Sequence, residues 1–176
     1  MAGLYVEGYD VPVTLSAGLS QVAGRFGGLA LHGSGGGSPT QIDALIFPSA
    51  PSTIICGFAF RFAANPGAST IVASLRDGSN TQVGIAIDTT GHPFLFRTSI
   101  GNVLGTATNP LAINTWVYLI LKVFINNTTG TFDLKVDGTV VITGTGDTQN
   151  TATTADRLVF LNNSNTMSFD VDDVSP

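Results

Sequence analysis

The sequence has 176 residues, enough for one domain to bury a full sandwich core. Charged residues are 11% of it, against about 25% in an average soluble domain, and glycine numbers 21. With a net charge of −5, this excludes a coiled coil and a charge-rich disordered tail. The seven basic residues (Arg25, Arg61, Arg76, Arg97, Lys122, Lys135 and Arg157) are scattered, which speaks against nucleic acid and against a polyanionic partner.

In chain order, the N-terminal MAGLYVEGYDV has no basic segment followed by an apolar core, so no export signal and synthesis in a cytoplasm are expected. Leu4 to Tyr9 suits a first strand, and Val11 to Phe26 reads as a loop or one short helix. Leu29 to His32 is a short strand. The GSGGGSPT segment, residues 33 to 40, has linker composition and reads as a long loop, because the flanking pieces are too short to fold alone. Gln41 to Phe47 is the next strand. In STIICGFAFRF, residues 52 to 62, Ile54, Cys56, Phe58, Phe60 and Phe62 share one face, and Gly57, Ala59 and Arg61 share the other. Cys56 is the only cysteine, which rules out an intrachain disulfide, and its apolar context makes it a small buried hydrophobe.

Thr70 to Arg76 and Gln82 to Asp88 form a hairpin around Asp77-Gly78. Thr90-Gly91 turns the chain into Pro93 to Thr98, and Asn102 to Thr108 is a weak strand. Then comes the longest apolar run, TWVYLILKVFIN, Thr115 to Asn126. At about 12 residues it is too short to cross a bilayer as a helix, and no membrane insertion is expected. Val117, Leu119, Leu121, Val123 and Ile125 alternate with Trp116, Tyr118, Ile120, Lys122 and Phe124. One face is aliphatic, and the other is largely aromatic and broken by a lysine. The run reads as a central strand covered on both sides, except that Lys122 must reach water or a carboxylate.

After it, Phe132, Leu134 and Val136 face inward, and Thr131, Asp133 and Lys135 face outward. Asp137-Gly138 marks a tight hairpin returning through Val140 to Ile142. Residues 144 to 156 read as a polar loop. Arg157 to Leu161 and Met167 to Val174 are the last strands, with Asp170 and Asp172 on one face of the second. The total is roughly a dozen strands with no secure helix, an all-β antiparallel sandwich in a single domain, residues 1–176.

The succession NTWVYLILKVFIN, GTFDLKVDGTVV, ADRLVFLN and MSFDVDDVSP, with GRFGGLAL and STIICGFAFRF before it, resembles the concanavalin A-like lectin/glucanase jelly roll. The likeness is greatest to the laminin-G-like members found in tailed-phage virion proteins, although this chain stops just after Asp172-Asp173. The resemblance implies two curved sheets with a concave outer face and rim loops left free. It also implies a virion structural protein, made in the bacterial host cytoplasm, decorating a capsid or associated with a tail. Its partners would be other virion proteins and copies of itself. The second implied function is a lectin or adhesin for a cell-surface glycan, using the concave face or the loops near 33–40, 77–80 and 144–156.

The glucanase branch uses a strand-borne Glu-x-Asp-x-x-Glu, whereas Glu7 is the only glutamate here. The aspartate pairs Asp133/Asp137 and Asp170/Asp172 lie off the central strand, so no enzyme is expected. His32 and His92 are not spaced as a metal pair and read as surface or packing residues. Asp172-Asp173 is a partial match to the calcium ligands of laminin-G relatives, and no metal or cofactor is assigned. The candidate ligand or interface residues are Trp116, Tyr118, Lys122, Phe124 and Asp172.

Overall fold

The computed structural model describes residues 19–34, 40–47, 49–162 and 166–176. The expected strand at Leu4 to Tyr9, most of the 33–40 loop and Glu7 fall outside them. Among the described residues there are thirteen strands and no helix. They are β1 Leu19–Ala23, β2 Leu29–Gly33, β3 Thr40–Ile46, β4 Thr53–Phe62, β5 Thr70–Asp77, β6 Asn80–Ile87, β7 Pro93–Arg97, β8 Val103–Thr106, β9 Val117–Phe124, β10 Gly130–Val136, β11 Thr139–Gly146, β12 Arg157–Asn162 and β13 Phe169–Ser175.

Two antiparallel sheets form. One runs β1-β2-β13-β4-β9-β10-β11 and the other β3-β12-β5-β6-β7-β8. The chain is thus an all-β jelly-roll sandwich, and the segment left open between loop and helix contributes β1.

Alternation builds the core. β4 and β9 pair with Ile54 opposite Val123, Cys56 opposite Leu121, Phe58 opposite Leu119 and Phe60 opposite Val117. All eight side chains are buried between the sheets, where the second sheet supplies Leu75, Val83, Ile85, Leu95, Leu158 and Phe160. Phe58 meets Phe160 edge-on across the gap, with centroids 4.9 Å apart. Burial pushes the Cys56 thiol pKa up to about 12, so it is inert packing and not a nucleophile.

The alternate residues of β9 define the sheet's other side. Tyr118, Ile120 and Phe124 are half-buried and Lys122 is exposed. The expectation of cover on both sides is therefore corrected: the aromatic face of β9 belongs to the outer surface of the seven-stranded sheet. The outer side of the six-stranded sheet differs, because Ala86, Phe94 and Phe96 form a buried apolar cluster there.

The Asp137-Gly138 turn has positive φ at both residues, 48° and 82°, as a two-residue primed turn requires. The expected 144–156 loop begins later, because β11 continues to Gly146. Beyond Gly146 the chain is tied down as a strap. The buried Thr148 hydroxyl donates to the Phe124 carbonyl and accepts from the Asn126 N–H, and Asp147 takes the Arg97 guanidinium. Gly130 sits under this strap. A Cβ there would lie 2.7 Å from the Gly146 carbonyl oxygen and 2.9 Å from that of Phe124. Gly130→Ala should therefore cost about 1–3 kcal/mol, read as a lower denaturant midpoint at unchanged slope.

Asp156 closes the strap. Its N–H donates to the Arg76 carbonyl, and its carboxylate accepts from Arg157 and from the Gly78 N–H. The Arg157 guanidinium, helped by the Gly78 N–H, holds this carboxyl below its ordinary pKa. A depressed folded pKa gives stability that is present above the unfolded value and lost as pH falls through the folded one. Asp156→Asn should thus be less stable than the parent at pH 7, with the gap closing below about pH 4 in thermal melts.

Candidate functional site

The registers set out the outer face of the seven-stranded sheet in rows. On β13, Asp170 stands opposite Arg61 of β4 and opposite His32 of β2. Asp170 Oδ1 lies 2.6 Å from His32 Nδ1. Its Oδ2 accepts from Arg61 Nε at 2.8 Å and from Arg61 Nη2 at 2.6 Å. The carboxylate is nearly buried, while both partners are about one-third exposed. With its edge taken by Asp170, the Arg61 guanidinium lies over Trp116, Cζ 4.7 Å from the ring centroid. Val22, Asn114 and Ser168 join His32, Arg61 and Asp170 around a concavity of about 320 Å³. Asn114 holds a left-handed φ of 57° while its N–H donates to the Phe62 carbonyl, which fixes the loop entering β9.

In the next row, Asp172 is opposite Ala59, and Ala59 is opposite Tyr118. The small residues on β4 let Tyr118 lie down. A Cβ on Gly57 would stand 2.8 Å from the phenol oxygen, which reaches across to Ser175 Oγ at 2.9 Å. The β1–β2 turn overhangs this row. Asp172 Oδ2 accepts the Arg25 N–H at 2.8 Å, and a Cβ on Gly24 would fall 2.5 Å from the same oxygen. The pinned turn, with Gly27 at φ 103°, displays Phe26, which is 81% exposed. Arg25 Cζ is 4.9 Å from the Phe26 centroid and 5.8 Å from that of Tyr118.

The last rows pair Gly57 with Ile120 and Ile120 with Lys135, then Ile55 with Lys122 and Lys122 with Asp133. Ile55, Ile120, Lys122, Asp133 and Lys135 line a second concavity of about 250 Å³. Phe124 lies one row further along, opposite Thr53 and Thr131.

All five candidates from the sequence therefore belong to one sheet face, but they do not converge on one spot. Trp116 stacks under Arg61 beside the first concavity, Tyr118 is in the middle and Lys122 is in the second concavity. Asp172 has a different role from that of a ligand-facing or calcium-binding carboxylate. It is 4% exposed, and its oxygens accept the N–H groups of Arg25 and Asp173, so it braces the turn. Among the described residues, no group of three His, Cys, Asp or Glu side chains could hold a metal ion.

Sequence reasoning missed Arg25, Phe26, His32, Arg61 and Asp170 as residues of this site. The bracketing glycines 24, 27 and 28 were the available signal for the first two. The pairing of β2 with β13, which recruits His32, has no local signature. Four of the seven basic residues, Arg25, Arg61, Lys122 and Lys135, share this face. The fold gathers what the sequence scatters.

No protein-family model matches the sequence, and no curated protein matches it. Solved structures do. An endo-β-1,4-glucuronan lyase from the fungus Trichoderma reesei superposes with TM-score 0.67 at 15% identity, covering 89% of this chain and 84% of the lyase. A sialidase gives TM-score 0.64 at 10% identity, over 90% of this chain and 16% of the sialidase. The binding domain of botulinum neurotoxin DC, in complex with SialylT, gives 0.58 at 10% identity, over 88% of this chain and 40% of that one. At such identities the likeness carries the fold alone.

Removing Asp170 should cost about 1–3 kcal/mol, because three hydrogen bonds go and two partly exposed partners must find water. Trp116 is the sole tryptophan, so Asp170→Ala and Arg61→Ala should both shift the protein's intrinsic fluorescence. An emission spectrum unchanged in both variants would show that the guanidinium does not rest on the indole.

Proposed function

We propose that this chain is a non-catalytic glycan-binding module working through the outer face of its seven-stranded sheet. The Arg61–Trp116 pair carries the reading. A guanidinium locked by a nearly buried carboxylate lies on a half-exposed indole beside an open concavity. Sugar rings present apolar C–H faces to aromatic rings and hydroxyls to charged donors, and few side chains need ordering here on binding. Phe26 and Tyr118, bridged by Arg25, extend the same chemistry along the face. The glucuronan lyase, the sialidase and the neurotoxin binding domain act on or are complexed with sugars by their names, and this adds support.

The non-catalytic part rests on the commitment of the carboxylates. Asp170 is held by Arg61 and His32, Asp172 by two backbone N–H groups, and Asp133 by the Thr143 hydroxyl. A retaining glycosidase needs two carboxyl groups about 5 Å apart and free to exchange protons.

The resemblance to tailed-phage proteins supplies a setting for the proposal, a virion surface meeting a host-cell glycan. A second reading, a purely structural virion protein that oligomerises or packs on a capsid, is favoured by β11. This edge strand carries no charged residue and leaves Val140 49% exposed.

A glycan array with Trp116→Ala and Phe26→Ala variants tests the first reading. Specific binding that falls at least tenfold in each variant, about 1.4 kcal/mol, is expected. Phe26→Ala should leave the melting temperature unchanged, because that ring is mostly in water. Absence of any glycan ligand, together with co-sedimentation with assembled capsids, would favour the structural reading.

A further inference from the structure

The seven basic side chains divide into two groups. Arg25 is stacked between Phe26 and Tyr118, and Arg61 holds Asp170. Arg76 reaches Gln41 and Ser74, while Arg97 and Arg157 hold Asp147 and Asp156. Lys122 and Lys135, by contrast, have no hydrogen bond or ion pair among the described residues, and both line the same 250 Å³ concavity. Asp133 stands directly opposite Lys122 in the register, yet its carboxylate accepts from the Thr143 hydroxyl instead.

Strand geometry makes this convergence obligatory. Lys122 and Lys135 are diagonal neighbours on adjacent antiparallel strands and on the same face, with backbones about 7–8 Å apart. That spacing lets two flexible ammonium groups approach one anionic group from either side. Ile120 and the 53%-exposed Ile55 form the apolar wall. In a chain of net charge −5, two lysines and the single carboxylate of Asp133 around one recess leave it with an excess of positive charge, a local reversal of sign. The apolar wall suits a ring more than a bare inorganic ion.

We infer that the Lys122–Lys135 recess is a subsite for an acidic sugar unit, one bearing a carboxylate or sulfate. The anionic group sits between the ammonium groups and the ring packs on Ile120 and Ile55. This rests on the glycan-binding reading and specifies its ligand class. Lys122 lies six residues beyond Trp116 in the same extended run, about 20 Å away at roughly 3.4 Å per residue. The ligand is therefore a polymer that follows β9 from the Trp116 cluster past Tyr118 to the lysines.

Isothermal titration with polyglucuronate, dextran sulfate, neutral dextran and a single-stranded DNA oligonucleotide tests this, using the parent, the Lys122→Gln/Lys135→Gln double variant and Trp116→Ala. The expected result is that polyglucuronate or dextran sulfate binds at least tenfold tighter than dextran at low salt. Whichever of the two binds identifies the anionic group. The advantage should shrink as salt rises and disappear in the lysine variant, whose surface substitutions leave the melting temperature in place. An acidic preference that survives loss of both lysines overturns the inference, as does DNA binding as tight as the acidic glycans. Trp116-dependent binding of dextran with no acidic preference removes the subsite and leaves the glycan-binding reading intact. No binding of any polymer removes both.

Discussion

The residue-for-residue pairing of β4 with β9 is the constraint on which the remaining structure depends. Eight consecutive positions, Thr53 to Phe60, run antiparallel to Phe124 to Val117. The alternation of each strand is thereby locked to that of its partner. A slip of β9 by one position against β4 would carry Leu119 and Leu121 into water and Lys122 into the core, an error costing many kcal/mol. Once register is fixed, the aliphatic side must face the second sheet. Tyr118, Ile120, Lys122 and Arg61 must then share the surface with their neighbours on β10 and β13. Core and outer face are two readings of the same alternation.

The outer face is built by a second device, the buried carboxylate as a fixture. Asp170 and Asp172 are adjacent outward positions on β13, and both are almost inaccessible. One orients a guanidinium on an indole, and the other orients a backbone turn that displays a phenylalanine. A carboxylate with several hydrogen-bond donors is worth more as a rigid brace than as a mobile ligand, because its partners need no ordering when a ligand arrives. Small residues complement it. Gly24 leaves room for the Asp172 oxygen, and Gly57 leaves room for the Tyr118 ring.

Much of the fold was legible because the strong strands declare themselves by period two. The runs at 52–62 and 115–126 and the Asp137-Gly138 hairpin emerge nearly as read. β1 was hidden because LSQVA is short, mixed in polarity and without clean alternation. The cover of β9 was misjudged because aromatic residues suit a core as well as a half-exposed outer sheet, and local sequence does not say which side has a second layer. The site was less legible still. Trp116, Tyr118 and Lys122 could be singled out on their own strand. Their relation to His32, Arg61 and Asp170 is a matter of which strands become neighbours, and those residues are separated by as many as 138 positions. Asp172 was noticed for its charge, but its job is set by a turn that begins 147 residues earlier.

The strand order has an effect in time as well as in space. β13 lies between β2 and β4, and β12 lies between β3 and β5, so the two strands furthest along the described chain are the seams that join its early part to its middle. Pairings of such long sequence separation are slow, since most loop-closure entropy is spent before they form. His32 and Arg61 gain their shared carboxylate only when β13 docks. A partly folded chain in which β13 has not docked therefore exposes open sheet edges and lacks the assembled Asp170–Arg61–Trp116 cluster, so the proposed recognition surface comes into being only with that docking.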